Sequence, residues 1–494
     1  MGDGEVKKIA SGGGIVLVAS LLDRIIRFAV TWLLSTSLGA GDFGIYTHAV
    51  TVVTVITVLS PLGLNSGAVY FGAQYAKTKE EGKRKGLLFF GAITTIISGL
   101  LSAIGLWVLA PILFEDPMPF RWIAPTIAVW TPLMFCVGLL TSIKDMLGAA
   151  MVYQIILPLC LLIGATVIYM AQFDLQIALV FYWVALGITF VVATIWVWKR
   201  FKTLIQDQDI VPEYDNKKVL LYSIPQGLAG MVFRLTVWMD ILMMGYYSTD
   251  EQLGIYRIAS ALAIIGSIPI TALTSIFNPI IAELVAVKNF EKLNSLLKTV
   301  TRWLLLLSLP ILIFCLAVPD ILLHIFDPIY AASRIPLIIL LSGQFFWVFC
   351  AMSMRLIPMS GRSMLTFING VIAVVLNMIC NIIFIPQYGA IGAAIATAIT
   401  LNLWAGWRLI EIWHLMRCHP FSKGNILFFL FCVGISYFLS EFSYHWDIEL
   451  RIVISGFICF CIVLMGFWLG KTRDDDIVID AFMKKIQRFQ RKKS

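Results

Sequence analysis

Apolar stretches, broken at short intervals by clusters of Lys, Arg, Asp, Gly and Pro, run the length of the chain. Stretches of about 20 residues or more with few charges are the pattern of bilayer-crossing helices. Fourteen are counted, roughly 9–38, 43–72, 86–114, 121–141, 146–171, 175–198, 218–247, 253–283, 300–326, 334–357, 363–385, 389–416, 424–442 and 450–470. A transmembrane barrel would show short alternating segments instead, and a soluble core could not absorb so many apolar helices. The pattern therefore predicts an all-α polytopic membrane protein.

The polar positions between the stretches set sidedness, because Lys and Arg accumulate in cytoplasmic loops. One alternating set of segments carries nearly all of them: Lys7 and Lys8, the cluster Lys77–Lys85, Lys144, Lys199–Lys202 with Lys217 and Lys218, Lys288–Arg302, Arg355 and Arg362, Arg417 and Lys423, and the tail. The other set holds only Arg121, Arg334 and Arg451. This asymmetry predicts a multi-pass protein of the cytoplasmic (inner) membrane with both termini in the cytoplasm. The first stretch, too long and too charged for a cleaved signal, reads as a retained helix. Outer loops are short, the longest lying near 441–449. The inner loop 199–217 reads as a linker between two six-helix halves, 1–198 and 218–416. Two further helices follow over 424–470, then a basic tail, 471–494. Ile479, Phe482, Met483, Ile486 and Phe489 give that tail helical amphipathic spacing, suited to an anionic membrane surface.

The halves carry traces of a repeat. A single ungapped offset of 210 residues takes Arg24 onto Arg234 and Gly44-Ile45-Tyr46 onto Gly254-Ile255-Tyr256. An offset of 218 takes Met146-Leu147 onto Met364-Leu365 and Ile177-Ala178 onto Ile395-Ala396. Six spans per half make the copies parallel, related by an axis along the membrane normal.

Composition changes this picture little. The chain is 60% hydrophobic and 13% charged, with a formal net charge of +8. The excess sits in the inner loops and tail, so it does not point to nucleic acid. Nine cysteines are scattered without a CxxC pair and read as small apolar residues. Gly466–Thr472 approximates a phosphate-binding loop but lacks one spacer residue and follows a membrane helix rather than a strand. Asp207-Gln208-Asp209 sits in a linker with no room for a nucleotide-binding domain. The reading is of a non-enzyme without cofactor, apart from a possible coupling ion, Na+ or H+.

The candidate chemistry lies in charged residues inside the spans. Arg24 and Arg234 fall near mid-span, where an arginine costs about 2.5–3.5 kcal/mol on insertion scales and stays charged. Asp23 and Arg27 are four apart and can pair on one helix face, leaving Arg24 in surplus. Trp238, one turn beyond Arg234, offers it a cation–π partner. Arg257 extends the positive surface outward. Two readings follow: a water-filled cavity that binds an anion such as phosphate or pyrophosphate, or arginines tied to carbonyls and carboxylates of other helices as bundle ties. Asp240, and less directly Asp23, are candidates for a coupling ion. Asp320 with His324, and Arg408 with Glu411, read as local pairs. Pro61, Pro269 and Pro279 mark bends in the second and eighth spans.

Three stretches carry a family resemblance: Ser37–Tyr46 with the following helix through Gly63-Leu64-Asn65, then Gln252–Tyr256, then Asn381–Ala394. Over roughly residues 10–420 the chain resembles the polysaccharide-biosynthesis (Wzx-type) flippases of the multidrug/oligosaccharidyl-lipid/polysaccharide (MOP) exporter superfamily, with a MATE-like fold. The resemblance implies transport of undecaprenyl-pyrophosphate-linked oligosaccharide across the inner membrane, driven by an ion gradient, for surface polysaccharide. It implies a cationic cavity lined by spans 1, 2, 7 and 8, where Arg24, Arg234, Arg27, Arg257 and Asn65 would meet substrate. Spans 13 and 14 would border a groove for the lipid tail. Implied partners are membrane lipids and polysaccharide polymerase or assembly proteins. The arginine surplus departs from drug-exporting relatives, in which acids suit a cationic cargo. A cation-coupled multidrug exporter, and a membrane polymerase or ligase, are the alternatives; the second would need larger outer loops.

Overall fold

The computed structural model describes residues 3–442 and 447–469, and all regular structure among them is helical. The tail 471–494 lies outside the described residues. In order, the first helices are α1 (Asp3–Leu59), α2 (Leu64–Thr78), α3 (Glu81–Leu113), α4 (Met118–Ile123), α5 (Thr126–Ser142), α6 (Met146–Ala150) and, after a π turn, α7 (Leu157–Ala171). Next come α8 (Leu175–Gln206), α9 (Asn216–Tyr247), α10 (Asp250–Ala263), α11 (Ile268–Ala286), α12 (Phe290–Ala317) and α13 (Pro319–His324). The last are α14 (Arg334–Cys350), α15 (Leu356–Met359), α16 (Ser363–Tyr388), α17 (Ala390–Met416), α18 (Lys423–Phe442) and α19 (Ile448–Leu469).

Helix occupies each predicted apolar stretch, but the breaks fall where backbone geometry dictates. α1 runs straight through the expected gap after residue 38 and kinks at Gly39, whose φ of 72° and ψ of 176° suit a residue without Cβ. The second span breaks at Pro61, where Leu62 and Gly63 take positive φ (52° and 70°). The eighth splits at a 3-10 turn, Ile264–Ser267, ahead of Pro269. Among the described residues, ten segments are long and apolar enough to cross a membrane, or eleven if α9, bent by 52° between Asn216–Val232 and Arg234–Tyr247, counts as one. Lys423–Leu439 in α18 is apolar but shorter.

Large apolar side chains face outward on α3 and small ones face inward, an arrangement that suits a lipid solvent. On α3, Ile97, Leu101, Ile104, Val108 and Ile112 are exposed, while Gly91, Thr95, Gly99, Ala103 and Ala110 are buried. The small residues let α3 lie close on α5. Gly91 makes room for the Phe135 ring, and Gly99 lies against Ala128 and Thr131. Two buried hydroxyls here are satisfied: Thr95 donates to the Gly91 carbonyl one turn back (2.7 Å), and Thr131 donates across helices to the Ser60 hydroxyl (2.9 Å).

The chain forms two compact units: residues 1–258 with 381–390, and residues 259–380 with 391–494. In the first, α1 packs on α7 and α9, and α2 on α3, α5 and α9. In the second, α12 is the central helix, packed by α11, α14, α18 and α19. There Asp320 pairs with Arg334 (2.7 Å) and Arg451 (3.4 Å), in place of the His324 partner that spacing suggested. A carboxylate between two guanidiniums on separate helices ties α13, α14 and α19 together, and Arg451 also donates to the Ala317 carbonyl (2.9 Å). Arg408 reaches Glu411 at 4.0 Å, but the shorter bonds are Asn369 to Glu411 (2.6 Å) and Arg408 to the Met354 carbonyl (2.8 Å).

The stretch between α8 and α9 is strapped onto α3. Lys85, buried at 7% exposure, donates to the carbonyls of Asp207 (2.6 Å) and Ile210 (3.1 Å). The Glu213 N–H donates to the Gly82 carbonyl (2.9 Å), and Gly86 sits against the Glu213 backbone with no room for a Cβ. Nearby, Asp145 accepts from Gly148 N–H (2.9 Å), Arg200 (2.7 Å) and Trp196 (3.3 Å), fixing α6 to α8. Its burial works against ionisation, but these donors outweigh burial and hold the carboxyl below its ordinary value.

Two outcomes follow. Hydrogen bonds from charged groups are worth about 1.5–3 kcal/mol, so Lys85→Met should free the 207–213 strap; Glu-specific proteolysis at Glu213 should speed up at least several-fold, and unchanged cleavage would refute the strap. Because the folded pKa of Asp145 lies below its unfolded value of about 3.9, its stabilisation is full above that value and is lost as pH falls through the folded one. Melting temperatures should therefore show wild type above Asp145→Asn at pH 6, with the gap closing below about pH 4; a gap constant with pH would contradict this.

Candidate functional site

The site is assembled in the first unit, where α1 and α2 meet α9 and α10. Near one end, Gly44 leaves no room for a Cβ against the Asp250 carbonyl, and Gly254 leaves none against the Ala40 carbonyl. The 210-residue offset maps Ala40 onto Asp250 and Gly44 onto Gly254. The two copies of the motif are thus in reciprocal backbone contact. Along α2 and α9, Gly63 meets the Ser223 carbonyl and the Gly227 backbone. His48, one turn beyond Gly44, is buried against Gly245 and edge-on to Phe114 (5.6 Å) and Phe120 (5.1 Å).

These contacts fix the positions of the charged residues. Arg27 and Asp23 form the expected pair, Nε to Oδ1 at 2.7 Å. Arg24, half-buried on the next position around α1, has its Nη1 sealed from solvent. Arg234 is half-buried in the second arm of α9, and no carboxylate among the described residues pairs with it. Trp238 is not its cation–π partner; that ring faces the Arg257 guanidinium at 5.9 Å. Tertiary packing of α10 on α9 overrides the i,i+4 expectation here. Arg257 in turn lies within Coulombic range of Arg27, so α1 and α10 bring two guanidiniums to one region. Asn65 is half-buried at the start of α2, its backbone against Gly138 of α5.

Asp240 is the most enclosed of the candidates, at 8% exposure. Its Oδ2 accepts from the Tyr256 hydroxyl (2.7 Å) and its Oδ1 from Asn381 Nδ2 (2.9 Å). Three elements, α9, α10 and the end of α16, meet at this carboxylate. Asp23 has no part in it, being held by Arg27. Residue reading alone missed Tyr256 and Asn381, although both stand in the motifs that carried the family resemblance. The repeat shows that the cluster is not general scaffold: the offset puts Val30 opposite Asp240, while Tyr46, the counterpart of Tyr256, packs edge-on to Tyr182 (6.3 Å). A carboxylate occurs in one copy only. It can take up a proton or a small cation between oxygen donors, whereas the arginines suit an anion. Among the described residues, no group of three or more His, Cys, Asp or Glu side chains could hold a metal ion.

A family model described as polysaccharide biosynthesis protein matches residues 9–285, more than half of the chain. A second, MatE, matches residues 225–383. Two curated proteins of Haloferax volcanii are similar. A probable flippase, AglR, is 26% identical over 175 residues, 34% of this chain and 36% of that protein. A probable low-salt glycan biosynthesis flippase, Agl15, is 25% identical over 194 residues, 38% and 40% of the two chains. The match thus spans two-fifths or less of either relative. Among solved structures, the lipid II flippase MurJ in an inward closed conformation superposes with a TM-score of 0.71 at 15% identity, covering 92% of this chain and 98% of that one. An inward-facing MATE-family transporter of the MOP superfamily gives 0.65 at 14%, covering 87% and 99%. A Pyrococcus furiosus MOP transporter, whose structure is described by a reversed polarity of its binding pocket, gives 0.58 at 14%, covering 83% and 95%. These likenesses establish the fold.

If the reciprocal contact organises the site, Gly44→Val and Gly254→Val should each destabilise the protein by about 1–3 kcal/mol through overpacking. Gly41→Val, where the added atoms meet open space, should leave the melting temperature near wild type. Equal melting temperatures in all three would contradict the contact's role.

Proposed function

The chain belongs to the polysaccharide biosynthesis protein family, and from that premise we propose that it is a flippase that moves a polyprenyl-pyrophosphate-linked oligosaccharide, undecaprenyl-linked in a bacterium, across the cytoplasmic membrane. The glycan would serve surface polysaccharide or protein glycosylation. The observation that carries this reading is the gathering of arginines at membrane depth, Arg27 and Arg257 in Coulombic range with Arg24 and Arg234 on the packed helices α1 and α9. Cations held in low dielectric attract a pyrophosphate strongly and repel a cationic drug. A lipid-linked sugar offers a dianionic headgroup to such a site, and Asn65 offers an amide to its sugars.

Asp240 is proposed as the coupling site for Na+ or H+, supported by its enclosure with Tyr256 and Asn381. Alternating access would use the kink at Gly39 and the bends at Pro61 and in α9. The Lys and Arg asymmetry supports cytoplasmic termini, fourteen crossings and an inner-membrane location. A polymerase or other assembly protein on the outer face would receive the product. The MatE match favours a second reading, a cation-coupled drug exporter.

Reconstituted vesicles with a defined lipid-linked sugar separate the two. Arg24→Ala, Arg234→Ala and Arg257→Ala should each lower flipping about tenfold or more, a loss of at least 1.4 kcal/mol. Arg24→Lys should recover little if bidentate geometry matters. Asp240→Asn should remove the dependence of rate on an imposed Na+ or pH gradient. Near-normal flipping in the arginine variants, or transport of cationic drugs only, would sink the proposal.

A further inference from the structure

The end of α17 and the loop that follows it form a groove in the second unit, with a volume of about 480 Å³, lined by none of the residues proposed to meet transported substrate. Gly406, Leu409, Ile410 and Trp413 line it at helical spacing, and His419 and Phe421 close the other wall. The walls are rings in series: Trp413 tilted against His419 (5.5 Å, 52°), His419 stacked on Phe421 (6.0 Å), and Phe421 stacked on Phe349 (5.5 Å). Ile410 and Trp413 are 57% and 42% exposed, so the groove opens on a surface that lipid must cover.

Cations stand at one end of this apolar slot. The Arg417 guanidinium lies over the Trp413 ring at 5.6 Å. The loop is held on α12 by His419 N–H to Asn294 Oδ1 (2.9 Å) and by Asn425 Nδ2 to the Lys298 carbonyl (2.9 Å). Lys298, one turn beyond Asn294, therefore stands beside His419. Burial, and then the Lys298 charge, push the His419 imidazole down, so the ring stays neutral and the positive charge is that of Lys298 and Arg417. The loop belongs to the lysine- and arginine-rich set that faces the anionic inner leaflet under the positive-inside rule.

We propose that this groove is a binding site for an anionic phospholipid of the bilayer, one acyl chain lying along Gly406, Leu409 and Ile410 and the phosphate held by Arg417 and Lys298. Apolar walls accept the chain, and a cation pair at the interface selects an anionic headgroup over a zwitterionic one. The site is independent of the arginines proposed to grip transported substrate.

The test uses delipidated full-length protein titrated with dibrominated phosphatidylglycerol or dibrominated phosphatidylcholine. The readout is the part of tryptophan quenching that Trp413→Phe abolishes. Phosphatidylglycerol should saturate it at lower concentration than phosphatidylcholine. Arg417→Gln and Lys298→Gln should each weaken the phosphatidylglycerol midpoint about fivefold, the value of one basic residue near an anionic surface, and leave phosphatidylcholine unchanged. Gly406→Leu, which places its side chain in open space, should fill the groove and remove the saturable component. Quenching that rises without saturation, equally for both lipids, would mean ordinary boundary lipid and overturn the proposal. So would unshifted midpoints in both charge variants, each monodisperse and melting as wild type.

Discussion

Two polypeptide backbones lie in direct contact where the Ala40–Gly44 turn of α1 meets the Asp250–Gly254 turn of α10. Each glycine faces the partner's carbonyl, and neither side leaves space for a methyl group. In a membrane no hydrophobic force pulls helices together, so close approach of small residues must supply the packing. This contact sets the depth and rotation of α10 relative to α1. The polar residues that α10 carries, Tyr256 and Arg257, take their positions from those two variables.

From it the charged residues find their places. With Gly254 held against Ala40, Tyr256 reaches Asp240 and Arg257 projects towards Trp238 and the region of Arg27. The same helix therefore serves a carboxylate on one side and a cationic centre on the other. On the proposed function, an ion site at Asp240 and a substrate site at Arg257 would be neighbours through three consecutive residues of α10, Ile255 to Arg257. An ion taken up at Asp240 would alter the Tyr256 bond and so the helix that carries Arg257, giving a physical route for coupling.

Much of this was legible in the sequence. Apolar run length gave helices in every expected stretch, and i,i+4 spacing gave the Asp23–Arg27 pair. The motif Gly-Ile-Tyr was visible as a repeat, but its contact with its own counterpart was not, because periodicity carries no information on which helices touch. For the same reason local spacing pairs Trp238 with Arg234, and Asp320 with His324, whereas residues on other helices take those places: Arg257 at Trp238, and Arg334 and Arg451 at Asp320. Lys85 looked like a topology signal only; burial against the carbonyls of Asp207 and Ile210 gives it a structural task. Tyr256 and Asn381 carried no charge to draw attention, and only the fold brings them to Asp240.

On the proposed function, the arginines of α1, α9 and α10 recognise a lipid-borne phosphate group. Equilibrium binding to the purified protein of a short-chain prenyl-pyrophosphate sugar, against the same prenyl sugar lacking the phosphates, tests it most directly. The pyrophosphate compound should be preferred about a hundredfold or more, some 2.7 kcal/mol, and the preference should shrink in Arg27→Gln and Arg257→Gln. Equal affinity for the two compounds would contradict it.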